Sequence, residues 1–102
     1  LGPGLYEKHY QKAIAASLKS DNVFFEEQVH IPLSFLGESI GKYYADFIVE
    51  RKIIIELKAG NYMNRKHAQQ LFSYLKVMSL PLGLLVYFRQ NGVYSKRIVH
   101  VS

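Results

Sequence analysis

The stretch Tyr44-Ala45-Asp46-Phe47-Ile48-Val49, followed after a short polar break by Ile53-Ile54-Ile55-Glu56-Leu57-Lys58, decides the fold. Both halves are rich in β-branched and aromatic residues, which suit strands. Arg51-Lys52 separates them, so Ile40 to Glu50 is read as one strand and Ile53 to Ala59 as the next. Strands this close in sequence form an antiparallel hairpin. The run Ile53-Ile54-Ile55 offers no polar face and predicts a strand covered on both sides.

Upstream, Gly2-Pro3-Gly4 reads as a turn, and a helix is expected from Leu5 to Lys19, ended by Ser20-Asp21-Asn22. Val23 to Ile31 is a strand, Pro32 interrupts it, and Gly37-Glu38 marks a turn. Downstream, Gly60 closes the hairpin, and Asn64 caps a helix that runs to Ser79. Ala68, Leu71, Leu75 and Met78 make its apolar stripe, and Pro81 forbids its continuation. Gly83 to Arg89 is a very apolar strand, Asn91-Gly92 a hairpin turn, and Val93 to Val101 the last strand. The predicted order is αβββαββ: an α/β (α+β) fold, with a mixed sheet flanked by helices and residues 1–102 forming a single domain. The first residue is Leu1 rather than Met, which leaves room for an upstream element.

Glu56 is the anomaly in this pattern. It stands in an otherwise apolar strand, where an unpaired carboxylate costs several kcal/mol. Lys58 shares its face, because strand side chains repeat every two residues. Asp46 comes from the neighbouring strand, where aspartate is disfavoured. Two carboxylates and a lysine converging on one patch suit a hard cation such as Mg²⁺ or Mn²⁺. Mg²⁺ binds through one or two carboxylates plus substrate phosphate and keeps several waters. A lysine beside it can orient a water or stabilise developing negative charge. That is the chemistry of phosphodiester hydrolysis.

Parity tests the convergence. A two-residue loop at Arg51-Lys52 would pair Asp46 with Leu57 and turn Glu56 to the opposite face. The site therefore requires a three-residue connection or a β-bulge.

Asp46 followed by Glu56-x-Lys58 resembles the signature of the PD-(D/E)XK nuclease superfamily. More narrowly, Gly4-x-x-Glu7-x-x-Tyr10 is similar to the name-giving motif of the GxxExxY proteins. The Gln70-Leu71 and Tyr74-Leu75 pairs, Leu82-Gly83-Leu84-Leu85 and Lys96-Arg97-Ile98-Val99 add to that resemblance along nearly the whole chain. Ala45 stands where the superfamily carries proline before the aspartate. The family usually has a further helix ahead of the Leu1-Gly2-Pro3-Gly4 stretch, which bears on the cover of one sheet face. The resemblance implies a restriction-endonuclease-like core and a nuclease-type metal site. Asp46 and Glu56 would be ligands, the Leu57 carbonyl a third, and Lys58 the catalytic lysine. Glu7 would reach the metal from the first helix, and Gln70 would assist from the second.

Plainer readings compete at each position. Glu56 and Lys58 could form a structural ion pair. Glu7, in the first turn of the expected helix, could serve only the helix dipole. Tyr10, one turn on, is read as a packing residue, and Tyr74 and Gln70 flank the apolar stripe of the second helix. His67 is read as a surface or packing residue. His9, His30 and His100 have no metal-like spacing.

Charge and composition bound the partners. Thirteen Lys and Arg against eight Asp and Glu give +5, which fits a polyanion. Arg51, Lys52, Lys66, Lys76, Lys96 and Arg97 are candidate phosphate contacts. The chain has no cysteine, which excludes disulfides and thiolate metal sites and fits a reducing cytoplasm. No apolar run approaches the ~20 residues of a membrane helix. The expectation is a cytoplasmic, Mg²⁺-dependent nuclease acting on DNA. The competing expectation is a non-catalytic nucleic-acid-binding or assembly module with the same fold. Exposed apolar sheet would favour a homodimer.

Overall fold

The computed structural model describes residues 3–60, 64–89 and 92–101, with side chains from Glu7 onward. Helix α1 (Pro3–Ser20) leads into strand β1 (Phe25–Ile31). A small hairpin, β2 (Ser34–Phe35) and β3 (Glu38–Ser39), precedes strands β4 (Tyr43–Val49) and β5 (Ile53–Ala59). Helix α2 (Arg65–Met78) is followed by β6 (Leu82–Arg89) and β7 (Gly92–Val99). Setting the small hairpin aside, the order is the expected αβββαββ.

The five long strands form one mixed sheet in the order β1-β4-β5-β6-β7. Only β5 and β6 are parallel, and α2 is the crossover between them. The two helices cover opposite faces. Leu71, Tyr74 and Leu75 of α2 pack with Ile31, Ile48, Ile54, Leu85 and Tyr87. Ala15 of α1, with Tyr10, Ile14 and Leu18 beside it, packs against Phe47, Val49, Leu57 and Phe88. The Ile53-Ile54-Ile55 run is covered on both sides as read, with Ile54 toward α2 and its neighbours toward α1.

Local chemistry explains the boundaries of α2. The Asn64 side chain accepts a hydrogen bond from the Lys66 amide at 2.8 Å, capping the helix start. Ser79 closes it at φ 55°, with the Leu80 amide donating back to the Leu75 carbonyl at 2.9 Å. Gly83 lets this helix lie close to the sheet. A Cβ there would stand 2.8 Å from Leu71 Cγ.

Several boundaries move from their sequence-based positions. Helix α1 begins at Pro3, not Leu5, because a proline's fixed φ and missing amide suit the first helical turn. Glu7 therefore lies beyond that turn, where the helix dipole is weak. Strand β4 starts at Tyr43 rather than Ile40, since Ser34–Phe35 and Glu38–Ser39 pair with each other. Their turn places Leu36 at φ 53° and Gly37 at φ 81°, the backbone of a tight two-residue hairpin. In the predicted Asn91-Gly92 turn, Asn91 lies outside the described residues. Gly92 pairs with Arg89 and belongs to β7.

Candidate active site

The β4–β5 register pairs Phe47 with Ile55, Ile48 with Ile54 and Val49 with Ile53. Glu50, Arg51 and Lys52 make the connection, so it has the three residues that parity demanded. Glu50 and Arg51 take left-handed φ values of 53° and 54°, and the Lys52 amide donates to the Val49 carbonyl at 2.9 Å. This register brings Asp46 level with Glu56.

The paired ladder nevertheless stops at Phe47–Ile55, because β4 changes face at Asp46. Phe47 and Val49 face α1, whereas Tyr43 and Ala45, an even number of residues away, face α2. A regular strand would send all four the same way. Strand β1 changes face at the same level: Phe25 faces α1, while Val29 and Ile31 face α2. The residue at its change of face is Gln28, at φ 49°. The register of the pair is the same before and after the switch, so both strands turn over together.

At the switch the Asp46 carboxylate spans the gap to β5. Its Oδ2 accepts the Leu57 amide at 2.7 Å, and its Oδ1 accepts from Gln28 Nε2 at 3.2 Å. The Gln11 side-chain amide donates to the Asp46 carbonyl at 3.3 Å, tying α1 to the same point. Since a strand residue's amide and carbonyl point to the same side, the Leu57 carbonyl is also directed at this gap. A cleft of about 270 Å³ opens here on the α1 side, lined by Glu7, Lys8, Gln11, Gln28, Asp46 and Leu57.

Glu56 lies on the other face. Strand β5 pairs regularly with β6 throughout its length, so Glu56 and Lys58 share the α2 face with Ile54. Glu56 is only 6% exposed, and its Oε1 is buried with no hydrogen-bond partner. Burial first, then the negative charge of Asp46, pushes its carboxyl up to about 8, with Lys58 opposing. Tyr74 of α2 is buried beside it. Burial first, then Glu56, Tyr43 and Asp46, raises that hydroxyl to about 12, with Gln70 opposing. Tyr74 therefore remains a proton-bearing donor at ordinary pH. At the Lys58 end, His67 Nδ1 lies 3.0 Å from the Tyr87 hydroxyl, which accepts the Asn64 amide at 3.4 Å. Burial and Lys58 lower the basicity of His67.

The structure thus gathers Asp46, Glu56, Lys58, Tyr74 and Gln70 into one electrostatic neighbourhood. Glu7 shares the cleft with Asp46 on the opposite side of the sheet from Lys58. Among the described residues, no group of three or more His, Asp or Glu is assembled for a metal ion. Tyr10 stacks on Phe88 with ring centroids 4.3 Å apart, the packing role read from its position. Arg51 sits at the hairpin turn over the Phe24 ring at 5.5 Å, with Lys52 exposed beside it. The strand reading missed Gln28 and Gln11, and glutamine in those positions carries no signal of a left-handed backbone or a buried contact.

The sequence profile of the PD-(D/E)XK nuclease superfamily matches residues 1–99. The chain belongs to the PD-(D/E)XK nuclease superfamily. Its members generally use divalent metal ions. Among curated proteins, none matches the chain by sequence. The crystal structure of SSO0001 superposes with a TM-score of 0.74 at 23% identity, over 97% of this chain and 52% of that one. An alkaline exonuclease from Laribacter hongkongensis superposes with a TM-score of 0.66 at 13% identity, over 93% of this chain and 56% of that one. At these identities the likeness is one of fold. The chain spans just over half the length of either protein.

The oxygen donors gathered around Asp46 and Glu56 would suit a hard cation. Glu56 Oε1 is a buried acceptor without a donor, which a cation would satisfy. Two carboxylates are what Mg²⁺ takes when waters and substrate phosphate supply the rest. Among the described residues no helix is long and apolar enough to cross a membrane.

Proposed function

We propose that this chain is the catalytic core of a divalent-metal-dependent nuclease that hydrolyses phosphodiester bonds, with DNA as its substrate. The observation that carries the reading is the unpartnered, buried Oε1 of Glu56 beside Asp46 and Lys58. Asp46 and Glu56 would hold Mg²⁺ or Mn²⁺, with the Leu57 carbonyl as a further oxygen donor. Glu7, expected from the sequence to join them, lies in the cleft on the other face of the sheet from Glu56 and takes no ligand role. When bound, such an ion supplies Lewis acidity and a water of lowered pKa.

The chain's own groups divide the remaining work. The Leu57 amide holds one oxygen of Asp46, which keeps that carboxylate at the gap. Lys58 presents an ammonium on the face of Glu56, where it can hold an attacking water and stabilise charge growing on phosphate. Tyr74 keeps its proton and, with Gln70 beside it, offers a hydrogen-bond donor from α2. Lys8 lines the cleft and Lys66 lies in the first turn of α2, and both suit the nucleic-acid backbone. The finer assignments to the GxxExxY proteins, to one domain, to a cytoplasmic location and to a homodimer rest on the sequence pattern.

The test is cleavage of plasmid and single-stranded DNA with Mg²⁺ or Mn²⁺. Lys58→Ala should lower the rate by about 100-fold or more, as expected for losing a charge-stabilising group, while cation binding measured by calorimetry persists. Activity unchanged by Lys58→Ala and by Glu56→Ala would remove the nuclease reading. The second reading, a nucleic-acid-binding or assembly module, is favoured by the +5 charge and by the absence of a third acid beside the pair among the described residues. Salt-dependent DNA binding without any heat of Mg²⁺ binding would select it.

A further inference from the structure

We infer that Gln28 is a positioning residue that fixes the Asp46 carboxylate across the gap between β4 and β5. The inference deepens the metal-site reading, because it explains how a carboxylate at a change of strand face is held for a cation.

The backbone supplies the first argument. Gln28 lies in the middle of β1 at φ 49°. Glycine adopts that conformation freely and asparagine or aspartate with modest cost, whereas a glutamine carries the steric penalty of its Cβ. A non-glycine residue held there is over-determined by its surroundings. The change of face alone would be served by glycine. What glutamine adds is a side chain, and its amide donates to Asp46 Oδ1 at 3.2 Å.

The second argument is geometric. Asp46 Oδ2 already accepts the Leu57 amide at 2.7 Å, so a single bond fixes one oxygen and leaves the carboxylate free to rotate about it. The Gln28 amide engages the other oxygen and fixes the plane. Both donors are neutral, so each carboxylate oxygen keeps its charge and an unused lone pair. The position of Gln28 is itself determined by the fold: its neighbours Glu27 and Val29 pair with Phe47 and Ala45, on either side of Asp46. The only signal in the chain is therefore tertiary. Groups that orient a metal-binding residue commonly change affinity by about 10–100-fold when removed. Gln28 is solvent-exposed, which places its effect near the lower end of that range.

The experiment uses the full chain and compares Gln28→Gly with the unmodified protein, with Glu26→Gln as a control at an exposed β1 position. Glycine keeps the left-handed backbone and removes only the side chain, so the melting temperature should hold or rise. The first readout needs no cation: amide hydrogen exchange at Leu57 should quicken several-fold in Gln28→Gly, while Ile54 and Leu85 keep their protection. The second is calorimetric titration with Mn²⁺ alone, where affinity should fall by about 10-fold. Unchanged exchange at Leu57 would overturn the positioning role, whatever Mn²⁺ does. Faster exchange with undiminished Mn²⁺ affinity would overturn its link to the cation. Faster exchange in a protein whose unmodified form binds no Mn²⁺ would uphold the positioning of Asp46 and sink the metal-site reading instead.

Discussion

Replacing Glu56 by glutamine should make the metal-free protein more stable at high pH. The carboxyl is buried and lies beside Asp46, and its pKa is pushed from 4.5 to about 8. Between those values the folded protein holds a proton that the unfolded chain has released. Stability therefore falls as pH rises from about 4.5 to about 8, and the whole penalty is present above the folded value. At 1.36 kcal/mol per unit, the shift from 4.5 to about 8 corresponds to a penalty on the order of 5 kcal/mol. That is a large share of the roughly 5–15 kcal/mol by which a domain is stable. Glutamine keeps the size of the protonated acid and cannot ionise. It brings an extra N–H pair, which costs about 1–3 kcal/mol if left unsatisfied. Urea unfolding of both proteins at pH 5 and pH 9, in chelator, should show Glu56→Gln equal or slightly less stable at pH 5. At pH 9 it should be more stable by about 2–4 kcal/mol. Mn²⁺ at 100 times its Kd should cancel most of that difference at pH 9, since it adds about 2.7 kcal/mol to the protein that binds it. A difference between the two proteins that stays flat from pH 5 to pH 9 would refute the reasoning.

Two further perturbations test the frame around the site. Gly83→Ala would bring a methyl within 2.8 Å of the fully buried Leu71 side chain, so that side chain or α2 must shift. A loss of about 1–3 kcal/mol is expected in chemical denaturation, and a neutral result would contradict the close approach of helix and sheet. Asn64→Ala removes the side-chain acceptor for the Lys66 amide and should cost about 1 kcal/mol. Amide exchange in the first turn of α2 should quicken with it, and unchanged protection there would show that the cap contributes nothing.

Much of the frame is legible without coordinates. Strands and helices follow from periods of two and 3.6, which are set by backbone geometry and reach only a few residues. Asn64 and Pro81 mark the ends of α2 because a cap and a missing amide act locally. The small hairpin was less legible. Gly37 marks a turn, but Phe35, Leu36 and Ile40 look like core strand residues, and all three are more than half exposed in the structure.

The candidate site divides along the same line. Glu56-x-Lys58 shares a face because β5 is regular, and the three-residue connection follows from requiring Asp46 to come level with Glu56. Sequence alone therefore offered the carboxylate pair and the lysine as candidates and required a three-residue connection or a bulge to align them. Only the tertiary structure decided that Asp46 sits where two strands turn over, that Gln28 and Leu57 hold it, and that α1 brings Glu7 and Gln11 to its far side. The change of face arises because β1 and β4 must fill one core under α1 and another under α2. That demand comes from helices distant in the chain, and no local propensity of Gln28 or Asp46 encodes it.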